Sequence, residues 1–294
     1  MKKFFLVLLS LSIFLSISAQ NETSYEVDAF HAIDVQDNFK VYLSQGNEYT
    51  VTAHVPEGYG EFMSIEVKSG KLILALKDKN GKNKSTWTWR NNSVSIQSDN
   101  NRGKYKEASK IEIYVTFPSI DALAAGGVSE IIGLTPLTLK DFKLEVSGAA
   151  ETKLNLNTNN INVDQSGASK AELTMAANHI SFNLSGSTKN YIQFNQAAKS
   201  VNVDLSGASY LEMGNNGNVD VLKIDVSGAA QINAPTLNAS KVMVICSGAS
   251  KVYVGKVEKL MVDGSGASSV KYQESELKTE ISFEKSGAAS ITTY

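Results

Sequence analysis

Asp204-Leu205-Ser206-Gly207-Ala208, Asp225-Val226-Ser227-Gly228-Ala229 and Ile245-Cys246-Ser247-Gly248-Ala249 are copies of one short pattern, and that pattern decides the fold. Its Ser-Gly-Ala core stands also at Ser147-Gly148-Ala149, Ser166-Gly167-Ala168, Ser265-Gly266-Ala267 and Ser286-Gly287-Ala288, with Ser185-Gly186-Ser187 as a variant. The glycines follow one another at steps of 19, 19, 21, 21, 20, 18 and 21 residues. A period of this size marks a solenoid, in which each repeat buries its apolar face against its neighbours. A weaker first copy is read at Ala125-Gly126-Gly127, 22 residues before Gly148.

The flanks choose between a helical and a β solenoid. Three residues before each Ser the chain reads Leu144, Val163, Phe182, Val203, Ile224, Val244, Val262 and Phe283. Five before, it reads Phe142, Ile161, Ile180, Val201, Leu222, Val242, Leu260 and Ile281. The position between them is polar or long: Lys143, Asn162, Ser181, Asn202, Lys223, Met243, Met261 and Ser282. This is period two, the pattern of a strand with one buried face. Each repeat then reads as strand, Ser-Gly-Ala turn, second short strand and return segment, with no room for a helix. Equivalent strands stack in parallel about 4.8 Å apart, which gives a single-stranded parallel β-helix. A propeller is set aside because its blades need about forty residues each. Glycine suits the turn because it adopts backbone angles that other residues resist, and the neighbouring Ser hydroxyl is expected to bond to the backbone at the corner.

Upstream, Ala32–Val35, Phe39–Leu43, Tyr49–Ala53, Leu72–Leu76 and Ile111–Phe117 alternate without that punctuation. They read either as an antiparallel cap or as irregular first coils. A β cap that merges into the solenoid is favoured, because an open solenoid end needs cover. The expected organisation is a leader over residues 1–19, a cap over 20–118 and the β-solenoid over 119–294.

Lys2 and Lys3, the apolar run Phe4–Ile17 and the small residues Ser18 and Ala19 read as a secretory signal peptide. No second run of about twenty apolar residues follows. The protein is therefore expected to be exported to the periplasm, the cell surface or the medium without spanning a membrane, and no Cys after the run suggests a lipid anchor. Net charge is -2 with both signs interspersed, which argues against nucleic acid as partner. Cys246 is the single cysteine, so no intrachain disulfide forms, and its register places it inside.

Three features could carry function. Eight repeated serines suggest nucleophiles, but a nucleophile needs a base, and His31, His54 and His179 do not recur with the repeat; no catalytic residue and no cofactor are expected. In the polar stretch 77–110, Trp87 and Trp89 fall on one face of a strand beside Arg90. They pack on their own sheet or stack on a sugar, and Trp87, Trp89 and Arg90 are the candidate ligand-binding residues. Two residues before each Ser stand Glu145, Asp164, Asn183, Asp204, Asp225, Ile245, Asp263 and Glu284. Stacked carboxylates repel unless cations relieve them. Lys143 and Lys223 are placed to do so, and Asp204 with Asp225 is the candidate calcium pair.

Phe30-His31-Ala32-Ile33-Asp34-Val35, Val41-Tyr42-Leu43-Ser44-Gln45-Gly46 and the tandem coils together resemble the putative auto-transporter adhesin family with a head GIN domain, over about Phe30 to Tyr294. The resemblance implies a right-handed parallel β-helix and an adhesin-like surface role; it carries over no catalytic or ligand-binding residue. Three functions follow: binding of surface polysaccharide or an envelope protein, a structural envelope scaffold without a discrete ligand, or a polysaccharide-acting enzyme. Uniformly short coils leave no residues for cleft walls, which disfavours the enzyme.

Overall fold

The computed structural model describes residues 21–55, 60–77, 85–90, 93–98, 111–214, 218–274 and 279–294; for 21, 85–90 and 93–98 the backbone alone is described. The expected leader, 1–19, lies outside the described residues. Among those residues the only helix is the 3-10 turn Gly60–Phe62, and no helix is long and apolar enough to cross a membrane.

The strands of the N-terminal part are β1 (Asn21–Tyr25), β2 (Ala32–Val35), β3 (Lys40–Gln45), β4 (Thr50–Val55), β5 (Met63–Lys68) and β6 (Lys71–Leu76). Then come β7 (Ser85–Arg90), β8 (Ser93–Ser98), β9 (Glu112–Phe117), β10 (Ala122–Ala125), β11 (Glu130–Gly133), β12 (Leu137–Thr138) and β13 (Asp141–Val146). The repeats supply β14 (Glu151–Gln165), β15 (Lys170–Leu184), β16 (Lys189–Phe194), β17 (Ala198–Leu205), β18 (Tyr210–Gly214) and β19 (Asn218–Val226). The last are β20 (Gln231–Ala234), β21 (Asn238–Cys246), β22 (Lys251–Gly264), β23 (Ser269–Glu274), β24 (Glu280–Lys285) and β25 (Ser290–Thr293).

These strands build two parallel ladders, one on each side of the turn column. The first runs β6, β2, β10, β13, the second halves of β14 and β15, β17, β19, β21, the second half of β22, and β24. The second runs β9, β3, β11, the first halves of β14 and β15, β16, β18, β20, the first half of β22, β23 and β25. The parallel β-solenoid is therefore the observed architecture. In β14, β15 and β22 the second strand of one coil runs without a break into the first strand of the next, so no separate return segment exists there. At one such bend the Thr158 hydroxyl donates to the Lys140 carbonyl at 2.9 Å, which satisfies the corner from inside.

At the N-terminal end both ladders change character. β5 pairs antiparallel with β6, β4 antiparallel with β9, and β1 antiparallel with β4. The coil formed by β2 and β3 lies between the coil of β6 and β9 and that of β10 and β11, although it comes first in the chain. Among the described residues β7 and β8 pair with each other in a two-stranded sheet of their own.

The inward columns are those read from the sequence. From Leu144 to Val262 and from Phe142 to Leu260 every member is buried, each contributing about 1.5–3 kcal/mol of transfer free energy relative to exposure. The last coil departs: Phe283 is half-buried and Ile281 is 47% exposed, because among the described residues β24 pairs on one side only, with β22. Beyond the turn a second inward column of small residues, Ser129, Ala150, Ser169, Thr188, Ser209, Ala230, Ser250, Ser268 and Ala289, is buried as well.

The turn glycines all have positive φ, from 66° at Gly127 to 83° at Gly186. The first repeat is shifted by one residue from the sequence reading: Gly127, not Gly126, occupies the glycine column, since the Ala149 N–H donates to the Gly127 carbonyl at 2.8 Å and the Ser147 N–H to Ala125. Asp37 fills the same place one coil earlier with φ 70°. Its carboxylate accepts the Leu76 N–H at 2.9 Å, a local bond that helps hold an angle costly for a residue with a Cβ. The motif hydroxyls contribute less than expected. Ser185 reaches a carbonyl, at 3.3 Å, whereas Ser147 Oγ is buried without a partner. Several corners are served instead by the next small residue, as when Ser129 Oγ donates to Gly126 at 2.8 Å.

Candidate functional site

The outward positions of the first ladder carry two depressions. Two adjoining depressions of about 380 and 440 Å³ share Ser181 and Asn202 and so make one groove across the coils. Strand period two places Asn162, Ser181, Asn202 and Lys223 along its middle, because their neighbours on either side are core residues.

Parallel stacking puts like side chains in register, and here they bond to one another along the stack. Asn183 Nδ2 donates to Asp164 Oδ1 on the neighbouring coil at 2.6 Å, and Asn162 Nδ2 to Asp164 Oδ2 at 3.3 Å within one strand. Asn160 Nδ2 donates to Asp141, and His179 Nδ1 lies 2.8 Å from Ser200 Oγ. Lys143 Nζ sits 2.6 Å from Glu145 Oε1 and 3.4 Å from Asp164 Oδ2. Partial burial pulls the Lys143 pKa down, but the two carboxylates outweigh it and the net shift is upward. These bonds fix the amides and leave further lone pairs and N–H groups for a ligand. Toward β21 the groove turns apolar, with Met243 and the 55% exposed Ile245.

Asp204 and Asp225 are in register on adjacent coils and both line the groove. Asp225 is followed in its column by Ile245. Among the described residues no group of three or more His, Cys, Asp or Glu is placed to share a metal ion. Lys143 takes the neutralising place expected of it, and Lys223 lines the groove between Asn202 and Met243.

Trp87, Trp89 and Arg90 lie on β7, whose backbone pairs Trp87 with Ile96 and Trp89 with Val94. Their side chains lie outside the described residues. The described hydrogen-bond and ion-pair contacts of the histidine rings are His31 with Asp121, His54 with Glu112 and His179 with Ser200, and none is to a motif serine.

Sequence reading passed over the tyrosines of the opposite face. Tyr42 and Tyr114 stack at 4.7 Å, and Tyr191 and Tyr210 lie 6.1 Å apart on adjacent coils. Lys170 stands 5.7 Å over Tyr191 and Lys271 5.4 Å over Tyr253. The available signal was position, since Tyr191 and Tyr253 each fall five residues after a turn glycine.

A family model described as "Putative auto-transporter adhesin, head GIN domain" matches residues 29–190 and 187–275. Among solved structures, a putative adhesin from Parabacteroides merdae ATCC 43184 is 12% identical with a TM-score of 0.61, over 93% of this chain and 95% of that one. A putative adhesin from Parabacteroides distasonis ATCC 8503 is 14% identical with a TM-score of 0.63, over 93% and 96%. A putative lipid binding protein from the same organism is 17% identical with a TM-score of 0.54, over 93% and 96%. At such identities the likeness is one of fold. Among curated proteins none matches the chain.

Proposed function

The chain belongs to the family described as putative auto-transporter adhesin, head GIN domain, and from that premise we propose that it is an exported, non-catalytic envelope protein that binds polysaccharide along the groove of the first ladder. One observation carries this: the groove crosses successive coils, and its lining Asn160, Asn162, Asn183, Asp141 and Lys143 are held by hydrogen bonds and ion pairs within and between strands. Donors and acceptors held in place lose little freedom on binding, and a repeating surface suits a repeating ligand. The regular coil spacing gives a polymer several equivalent contacts rather than one deep pocket. The family description and the leader-like residues 1–19 support the envelope setting.

A glycan array and a pull-down from envelope extract test the reading. Binding is expected to fall at least about tenfold, near 1.4 kcal/mol, when Asn162→Ala and Asn183→Ala are combined, with the melting midpoint checked in parallel. Silence on the array and in the pull-down would move the protein to a scaffold role.

A further inference from the structure

We propose that Asp34, Gln36, Glu145 and Ser147 form a calcium site on the first ladder, separate from the groove pair Asp204 and Asp225. Asp34 and Gln36 stand on the coil of β2, and Glu145 and Ser147 two coils along, in matching positions. Between them the coil of β10 presents Ala124 and Gly126. Two large polar corners therefore face two others across a floor of minimal side chains, over about two strand spacings.

The oxygens are what make this a site. Asp34 and Gln36 point outward from the core columns, yet they are only 4% and 5% exposed. Asp34 Oδ1, Gln36 Oε1, Glu145 Oε2 and Ser147 Oγ are all buried, and none has a hydrogen-bond partner. The remaining oxygens of the two carboxylates are engaged: Gln36 Nε2 donates to Asp34 Oδ2 at 3.2 Å, and Lys143 holds Glu145 Oε1 at 2.6 Å. Burial, with the nearby Glu145 carboxylate, pushes the Asp34 pKa up against the opposing pull of Lys71.

A lone buried acceptor is satisfied by water, but a water molecule donates only two hydrogen bonds. Carboxylate and amide carbonyl oxygens accept and never donate. The Ser147 hydroxyl can also donate, but the other three oxygens only accept, and one cation reached by all four would satisfy them together. An all-oxygen set of two carboxylates, one amide carbonyl and one hydroxyl is hard, and its loose spacing suits calcium, with six to eight ligands in flexible geometry, over magnesium, which demands a tight octahedron.

Calcium titration of chelator-treated full-length protein, read by calorimetry and by thermal melting, tests this. The expected result is one calcium per chain and a melting midpoint raised by several degrees at about 100 times Kd. Glu145→Gln is expected to weaken Kd at least tenfold. Ser147→Ala, a mild change at a position occupied by Gly126 in the preceding coil, should weaken it several-fold with the fold intact. Asp204→Asn with Asp225→Asn should leave Kd within twofold. Absence of calcium binding in the wild-type protein overturns the proposal, as does binding that survives Glu145→Gln but is lost in the Asp204 and Asp225 double variant.

Discussion

A Cβ built on Gly207 would lie 2.5 Å from the carbonyl oxygen of Gly186, the atom that accepts the Ala208 N–H at 2.8 Å. The same approach recurs up the column, from Gly148 against Gly127 to Gly287 against Gly266. The turn glycine thus meets two demands, a φ of +73° at Gly207 and backbone-to-backbone packing between coils. Gly207→Val should cost several kcal/mol, from about 1–2 for the left-handed angle and about 1–3 for the clash. Exposed Lys189→Ala should stay within about 0.5 kcal/mol. Denaturant melts of the two variants decide; matching midpoints would remove the steric argument.

Cys246 is 2% exposed, and its Sγ lies 3.3 Å from Ser268 Oγ inside the coil. Burial pushes its pKa up, so at a given pH less thiolate is present than for a free cysteine. A bulky maleimide at pH 8 should label the native protein at least about 100-fold more slowly than the guanidinium-unfolded chain. Comparable rates would mean that the inward register is wrong at this coil.

Asp204 and Asp225 face each other across adjacent parallel strands, a like-charge pair that disfavours the stack. Asp204→Asn is therefore expected to raise the melting midpoint slightly at low ionic strength and to lose that gain in 1 M salt, where the Debye length is about 3 Å. A fall in the midpoint that appears only with calcium present would place a metal ion between these two carboxylates.

Trp87 and Trp89 are the two tryptophans of the chain, so polysaccharide is expected to shift their emission if the hairpin of β7 and β8 takes part in binding, and to leave it unchanged if the groove of the first ladder holds the ligand alone. A shifted spectrum, with affinity lost in Trp87→Ala combined with Trp89→Ala while the melt is retained, would show that the hairpin of β7 and β8 reaches the ligand.

Much of the repeat region was legible because its physics is local. A two-residue period fixes which side chains point inward, and a recurring glycine fixes where the chain turns, so Val203, Leu222 and Cys246 could be placed without coordinates. The first coils were less so. The one-residue shift at Gly127 depends on hydrogen bonds to Ala149, and Asp37 at a glycine position breaks the signature that a reader follows. The groove was half visible. The carboxylate column was read, but Asn162, Ser181 and Asn202 beside it appeared only as polar spacers, since the bond that Asn162 accepts from Asn183 arises from stacking. The grouping of Asp34 with Glu145 depends on two coils more than a hundred residues apart in sequence, which no local pattern encodes.

The place of β2 and β3 inside the stack bears on how the chain acquires its structure during synthesis. Beyond Gly148 each coil meets its partner in the one made about twenty residues earlier, so the array can lengthen coil by coil as it emerges. β2 and β3 find nothing to pair with at first, because their neighbours on one side, β6 and β9, end at Leu76 and Phe117, and those on the other side begin at Ala122. Closing that long loop costs entropy before any contact repays it. The earliest-made coil is therefore flanked on both sides only once Gly133 has been made, and until then at least one of its edges stands open to whatever holds nascent chains apart.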